Sequence, residues 1–128
     1  MHLRNEEEVK VERCFQRPYF NWRLNSHSIQ NKKIYGYGAS TKGNVILQYC
    51  KINSSLIPFI GEVNKFKFNK YTPGSKIKII SEKELKRRKI DYLLVLPWHF
   101  KDYIIKRESK YLKNGGRLIF PLPDIEIV

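Results

Sequence analysis

The residues best suited to holding a ligand form a glycine-rich run between a predicted strand and a predicted helix. The run reads Gly36-Tyr37-Gly38-Ala39-Ser40-Thr41-Lys42-Gly43-Asn44. Glycines permit a tight turn and close approach of a ligand, and the N–H groups at a helix start favour an anion. Ser40 and Thr41 can cap the helix or donate hydroxyls to phosphate, and Lys42 adds a positive charge. The run predicts a phosphate or pyrophosphate site; the alternative is a tight turn with no ligand.

The spacing of this loop departs from the two standard phosphate-binding patterns. The dinucleotide fingerprint places its third Gly three residues after the second, whereas Gly43 comes five residues after Gly38. The Walker pattern requires Gly-Lys followed by Ser or Thr, and here the order is Lys42-Gly43-Asn44. The loop therefore supports neither NAD nor ATP as the ligand.

Two further stretches follow the predicted second strand. Glu62 stands at the end of that strand, where a Rossmann unit places its ribose-binding acid; a solvated loop carboxylate is the alternative. Residues 64–74 then join Lys67 and Tyr71, with two more lysines, to a Thr-Pro-Gly turn. This second loop is interpreted either as phosphate-facing or as a solvated surface loop.

A third stretch, Pro97-Trp98-His99, follows a continuous apolar run. Open α/β sheets bind ligands at the carboxyl ends of their strands. An aromatic ring and a His placed there can stack on and orient a sugar or a base. The alternative is that Trp98 packs on the next helix and His99 merely begins it.

Independent catalysis is not expected from this sequence. It shows no paired carboxylates, metal-ligand spacing or nucleophile elbow, so no catalytic residue and no metal site are predicted. Cys14 and Cys50 are too few for a zinc cluster or a disulfide framework, and both are expected to be reduced thiols.

The elements that position these residues alternate regularly from Lys32 onward. Apolar runs predict strands at residues 34–36, 56–60, 77–80, 92–96, 117–122 and 125–128, with Pro58 indicating an edge position or a bulge. Helical spacing predicts helices at 41–51, 81–89 and 99–112, the second opened by a Ser81/Glu84 capping box. This alternation is typical of a small three-layer, Rossmann-like α/β domain with a mainly parallel sheet. Residues 1–31 are predicted to be an arm or one or two short helices.

Length, charge and hydropathy limit the number of domains, the kind of partner and the location of the protein. The 128 residues fit one domain, and the net charge of +13 favours polyanionic partners. The lysines are spread along the whole chain, which argues against a nucleic-acid footprint. The apolar runs are too short to span a membrane, and the first 30 residues show no signal core, so a cytoplasmic protein is expected.

Three strings together resemble the C-terminal domain of nucleotide-sugar C-methyltransferases. They are GYGASTKGN, YTPGSKI, and DYLLVLPWHFKDYII followed by GGRLIFPLPDIEIV, and they span residues 32–128 in the family's order. The resemblance matches Gly36, Gly38, Ser40, Lys42, Gly43 and Asn44 to the family's Gly-rich loop. It also matches Lys67, Tyr71, Pro73 and Gly74 to the second loop, and Pro97 and Trp98 to a Pro-Trp turn.

The resemblance implies a sugar-nucleotide-binding role. Members of that family are similar in combining a zinc-binding segment, an S-adenosylmethionine-binding domain with the catalytic base, and this Rossmann-like domain. Their chemistry moves a methyl group to a dTDP-linked keto-sugar, in the synthesis of deoxysugars and polysaccharides. The sequence departs from the pattern at Asn69, where Gly is usual, whereas His99 stands where Asn or His-like polar residues are common.

Neither the zinc-binding cysteines nor the methyl-donor domain is found in the 128 residues. The chain is therefore expected to bind a nucleotide sugar and to hold no cofactor alone, with S-adenosylmethionine serving the complete enzyme. It is interpreted as a subunit of a split enzyme that works with a separate methyl-donor subunit, as a product of a truncated gene, or as a domain reused for binding. Two alternatives stay open at this point: a free-standing nucleotide-binding Rossmann module and a basic nucleic-acid-binding protein.

Overall fold

Six strands form a single sheet in the computed structural model, which describes residues 32–122 and 125–128. The strands are β1 (Ile34–Tyr37), β2 (Phe59–Glu62), β3 (Lys78–Ser81), β4 (Tyr92–Val95), β5 (Arg117–Phe120) and β6 (Glu126–Ile127). Their order is β3-β2-β1-β4-β5-β6, and only β6 runs antiparallel to its neighbour. This is the strand order of dinucleotide-binding Rossmann folds. The arm predicted for residues 1–31 lies outside the described residues.

The connections between strands are short helices. They are α1 (Thr41–Tyr49), α2 (Glu82–Leu85), α3 (Lys101–Arg107) and α4 (Ser109–Lys113), with 3-10 turns at Lys65–Lys67 and Trp98–Phe100. The Ser81 side chain accepts the Glu84 N–H at 3.0 Å, so the predicted cap is confirmed. Ser40 caps α1 in the same way, accepting the N–H of Gly43.

Two apolar cores lie on opposite faces of the sheet, because successive residues of a strand point to opposite sides. In β4, Leu94 faces the core under α1, whereas Leu93 and Val95 face the core under α2, α3 and α4. Ile46 and Leu47 of α1 fill the first core, and Ile104 of α3 lies in the second. The predicted three-layer, mainly parallel α/β fold is confirmed.

The prediction for the second strand was wrong in position and placement. The strand begins at Phe59, one residue after Pro58, and it lies inside the sheet between β1 and β3. Pro58 therefore takes no ladder position, and its missing N–H costs no strand hydrogen bond. Leu56 and Ile57 instead form a turn in which both N–H groups donate to the carbonyl oxygen of Asn53.

The long helix predicted over residues 99–112 is divided. A 3-10 turn occupies its first residues, and the helix breaks at Glu108, whose backbone has φ −98° and ψ 23°. The Glu108 side chain is only 2% exposed and is held by groups from two other elements. A tertiary polar contact therefore interrupts a pattern that is helical in the sequence.

Three other elements are shorter than predicted. The helix expected over residues 81–89 ends at Leu85, and the strand expected over 117–122 ends at Phe120. The helix expected over 41–51 ends at Tyr49, since Lys51 has a φ of 52°. The predicted last edge strand is confirmed as β6.

Candidate functional site

A cleft of about 650 Å³ opens at the carboxyl edge of the sheet. The loops that follow β1, β2 and β4 form its rim, and α3 forms one wall. Strands β1 and β4 are neighbours, but α1 packs on one face of the sheet and α3 on the other. The cleft thus lies at the point where the strand order reverses, which is the usual ligand site of open α/β sheets.

The Gly-rich loop makes its turn at Gly38. This residue has a φ of +78°, a conformation that favours glycine, and its N–H donates to the carbonyl oxygen of Gly61 at 2.9 Å. Tyr37, Gly38, Ala39 and Ser40 all line the cleft. The loop then enters α1, so the first turn of that helix begins at the cleft rim.

The other two glycines of the run serve packing. A Cβ on Gly36 would lie 2.6 Å from the Ile60 side chain, and one on Gly43 would lie 2.5 Å from Leu96. The close approach of helix and strand at Gly43 is the role of the third fingerprint glycine in Rossmann folds. Neither residue lines the cleft, nor do Thr41, Lys42 and Asn44, and their contact with a ligand stays a prediction.

Glu62 is a buried carboxylate, so its interpretation as a solvated loop residue was wrong. Its side chain accepts the N–H of Ala39 at 2.9 Å, and those of Val63 and Asn64 at 2.8 Å each. The group holds the loops after β1 and β2 together. It also lines the cleft, and a contact with ribose stays a prediction.

The second loop reaches the first through one lysine. The Lys67 ammonium donates to the carbonyl oxygen of Ala39 at 2.6 Å. Tyr71 is 60% exposed and forms an isolated bridge with Lys78, away from the cleft lining. Asn69 has a φ of 63°, a conformation in which Asn substitutes for Gly at low cost.

The Pro-Trp turn is split between cleft and core. Pro97 lines the cleft against Gly38, whereas Trp98 packs on the core under α1. The Lys42 ammonium lies 5.9 Å from the centre of the Trp98 ring, and the indole N–H is buried with no partner among the described residues. His99 is exposed; its ring meets the Trp98 ring edge-on and lies tilted against the Phe100 ring.

A charged cluster forms the floor of the cleft. The Tyr37 hydroxyl accepts from Arg107 and donates to Glu108 at 3.1 Å. Arg107 also pairs with Glu82 at 3.0 Å, and Lys86 bridges Glu82 and Glu108 at 2.8 and 2.9 Å. Every carboxylate of this cluster is thus matched by a cation, as buried charges require.

Burial and the partners of this cluster shift two pKa values in opposite directions. Burial, and after it the Glu108 carboxylate, raises the pKa of the Tyr37 phenol above its ordinary 10.0. Burial alone would also raise the pKa of Glu82, but hydrogen bonds from Lys86 and Arg107 outweigh it and hold that pKa below its ordinary 4.5. The cleft floor therefore keeps a neutral phenol beside an ionised carboxylate at neutral pH.

The site prediction missed the wall formed by α3. Phe100, Tyr103, Ile104 and Arg107 line the cleft together. They are spaced as i, i+3, i+4 and i+7, which places them on one helical face. The apolar stripe can be recognised in the sequence from this spacing. The sequence does not show that the stripe extends beyond the core, where Phe100 is 56% and Tyr103 is 67% exposed.

The part of the chain that the structure describes holds neither a cluster of metal-ligating side chains nor a helix that could span a membrane. No three side chains among its His, Cys, Asp and Glu residues come close enough to share a metal ion. None of its helices has the length and apolar character needed to cross a membrane.

Two comparisons with known proteins agree with the geometry. The sequence model of the C-methyltransferase C-terminal domain family matches residues 16–123. The chain is also similar to the C-methyltransferase NovU of Streptomyces niveus, with 37% identity over 97 residues. That alignment covers 76% of this chain and 23% of the relative, so the chain spans about a quarter of the relative's length.

Proposed function

Since the chain belongs to the C-methyltransferase C-terminal domain family, we propose that it binds the sugar-nucleotide substrate of a sugar C-methyltransferase. The observation that carries this proposal is the Gly38 turn, which opens onto a cleft of about 650 Å³ at the switch point of the sheet. A cleft of that volume lies within the usual range for small-molecule sites.

The pyrophosphate would lie at the loop between β1 and α1. Backbone N–H groups at the start of a helix favour an anion, and Lys42 is the second residue of α1, two positions after the Ser40 cap. Lys67 already contacts the same loop through the Ala39 carbonyl. The loop is therefore flanked by two cations from different parts of the chain.

The nucleoside would lie deeper, between the end of β2 and the α3 wall. Tyr103 and Phe100 offer aromatic surface for stacking, and Glu62 lies at the opposite rim. The ordered donors around Glu62 fix its carboxylate in place. Its Oε1 accepts only the Ala39 N–H and can still accept a ribose hydroxyl.

Methyl transfer itself is assigned to another part of the enzyme. The cleft provides binding groups, while the resemblance implies that S-adenosylmethionine and the catalytic base belong to a separate domain. In this proposal the chain presents the substrate, and a methyl-donor subunit or domain performs the reaction in deoxysugar synthesis.

Titration calorimetry with the pure chain tests the proposal. The panel is a dTDP-hexose, dTDP, S-adenosylmethionine, NAD and duplex DNA. We expect binding of the first two, none of S-adenosylmethionine or NAD, and weak DNA binding that falls steeply with salt. Failure of every nucleotide to bind, or tight DNA binding that survives high salt, would overturn it.

A further inference from the structure

A second cleft, of about 690 Å³, lies at the opposite edge of the sheet. It is bounded by the segments that lead into β4 and β5 and by the junction of α3 and α4. Its lining is strongly basic. The cations are Lys86, Arg88, Lys89, Arg107 and Lys110.

The two acids of this cleft are already engaged. Glu108 is held by Lys86, Arg107 and the Tyr37 hydroxyl. Asp91 accepts the backbone N–H of Lys33 at 2.8 Å. Glu108, together with Glu82, therefore neutralises the inner cations Lys86 and Arg107 and leaves the rim positive.

The cations at the rim of this cleft have few acidic partners among the described residues. Within the described ranges, no carboxylate pairs with Lys89 or Lys110, and both side chains are exposed. Arg88 contacts Glu84 only at 3.8 Å, with its guanidinium over the Phe59 ring. Its Nε is buried with no hydrogen-bond partner among the described residues.

We propose that this cleft binds the phosphate group of a small phosphorylated molecule. The cations converge on one concavity instead of forming a stripe, which suits a compact anion better than a nucleic-acid backbone. Ile90, Leu93 and the Tyr111 ring add apolar surface beside them, which suits the organic part of such a molecule. Arg107 lines this cleft and the nucleotide cleft alike.

Amide NMR titration of the whole chain with inorganic pyrophosphate tests the proposal. We expect shifts at residues 88–91 and 110–116. Lys89→Ala/Lys110→Ala should weaken the binding that these shifts report by about tenfold or more, the loss of one to two charge-assisted contacts.

Lys83→Ala/Lys106→Ala is the matched control. It removes the same charge from exposed residues of α2 and α3 that do not line the cleft, and we expect affinity within about threefold of the unmodified chain. If both double variants weakened pyrophosphate binding equally, the effect would come from the net charge of the chain and not from this cleft, and the proposal would be overturned. Shifts confined to residues 38–44, or binding of duplex DNA but not of pyrophosphate, would overturn it too.

Discussion

Gly43 lies so close to Leu96 that a Cβ atom on the glycine would be 2.5 Å from the Cβ of Leu96. Gly43→Ala must therefore push α1 away from the residue that follows β4. We expect a loss of about 1–3 kcal/mol in the free energy of unfolding, the usual cost of overpacking. Urea unfolding measures it. Thr41→Ala, exposed on the same helix, is the control and should change stability by less than about 0.5 kcal/mol; equal effects would contradict the packing role.

Lys42→Ala separates binding from folding. If the loop holds a pyrophosphate, the variant should weaken sugar-nucleotide binding by about 1.5–3 kcal/mol, the range for a hydrogen bond to a charged group. Its stability should stay close to that of the unmodified chain, because a Lys at a helix start contributes little. Calorimetry and thermal unfolding provide the two readouts. Unchanged affinity for every nucleotide sugar tested would reduce the loop to a structural turn.

Trp98→Ala should act mainly on stability. The ring packs on the core under α1 and lies outside the cleft lining, so we expect a loss of about 3 kcal/mol, the lower end for removal of a buried aromatic. Sugar-nucleotide affinity, measured well below the melting temperature, should fall less than in Lys42→Ala. A large loss of affinity without a loss of stability would show instead that the ring is a ligand platform.

Glu62→Gln should loosen both loops at the cleft rim. The carboxylate accepts three N–H groups, whereas an amide keeps one acceptor oxygen and adds donors that face N–H groups. We expect a loss of about 1–3 kcal/mol, the cost of leaving buried donors unsatisfied. Glu84→Gln, an exposed helical acid, controls for charge and should cost less than about 0.5 kcal/mol.

Stability should fall in acid partly through Glu82. Its pKa in the folded chain lies below the ordinary 4.5, so the folded state binds a proton less readily than the unfolded state. The contribution is present above pH 4.5 and is lost as pH falls through the folded pKa. Urea unfolding from pH of about 6 down to about 3 should therefore show a smaller drop in Glu82→Gln than in the unmodified chain. An identical drop would contradict the contribution.

Periodicity was enough to predict the alternation of strands and helices, but not the place of the second strand or the interruptions that depend on distant partners. The buried run of β4 and the Ser81 cap are local signals, and both were confirmed. The break at Glu108 depends on Lys86 and Tyr37, which are far away in sequence. Local pattern carries no information about such contacts.

The candidate site also has features that could be predicted from the sequence and features that could not. The turn at Gly38 follows from its residue types and from its place between strand and helix. The bonds made by Glu62 and Lys67 could not be predicted, because they depend on how three loops meet at the sheet edge. The sequence indicated which loops gather there, and the structure adds how they are joined.

Ala39 is held on both sides of its Cα, its N–H by Glu62 and its carbonyl by Lys67. Neither loop can open without releasing this one residue, so the rim should fluctuate as a single cooperative unit. Amide hydrogen exchange at Ala39, Val63 and Asn64 would then report one shared opening free energy. A ligand that bridges the two loops would slow exchange at all three positions together, including those it does not touch.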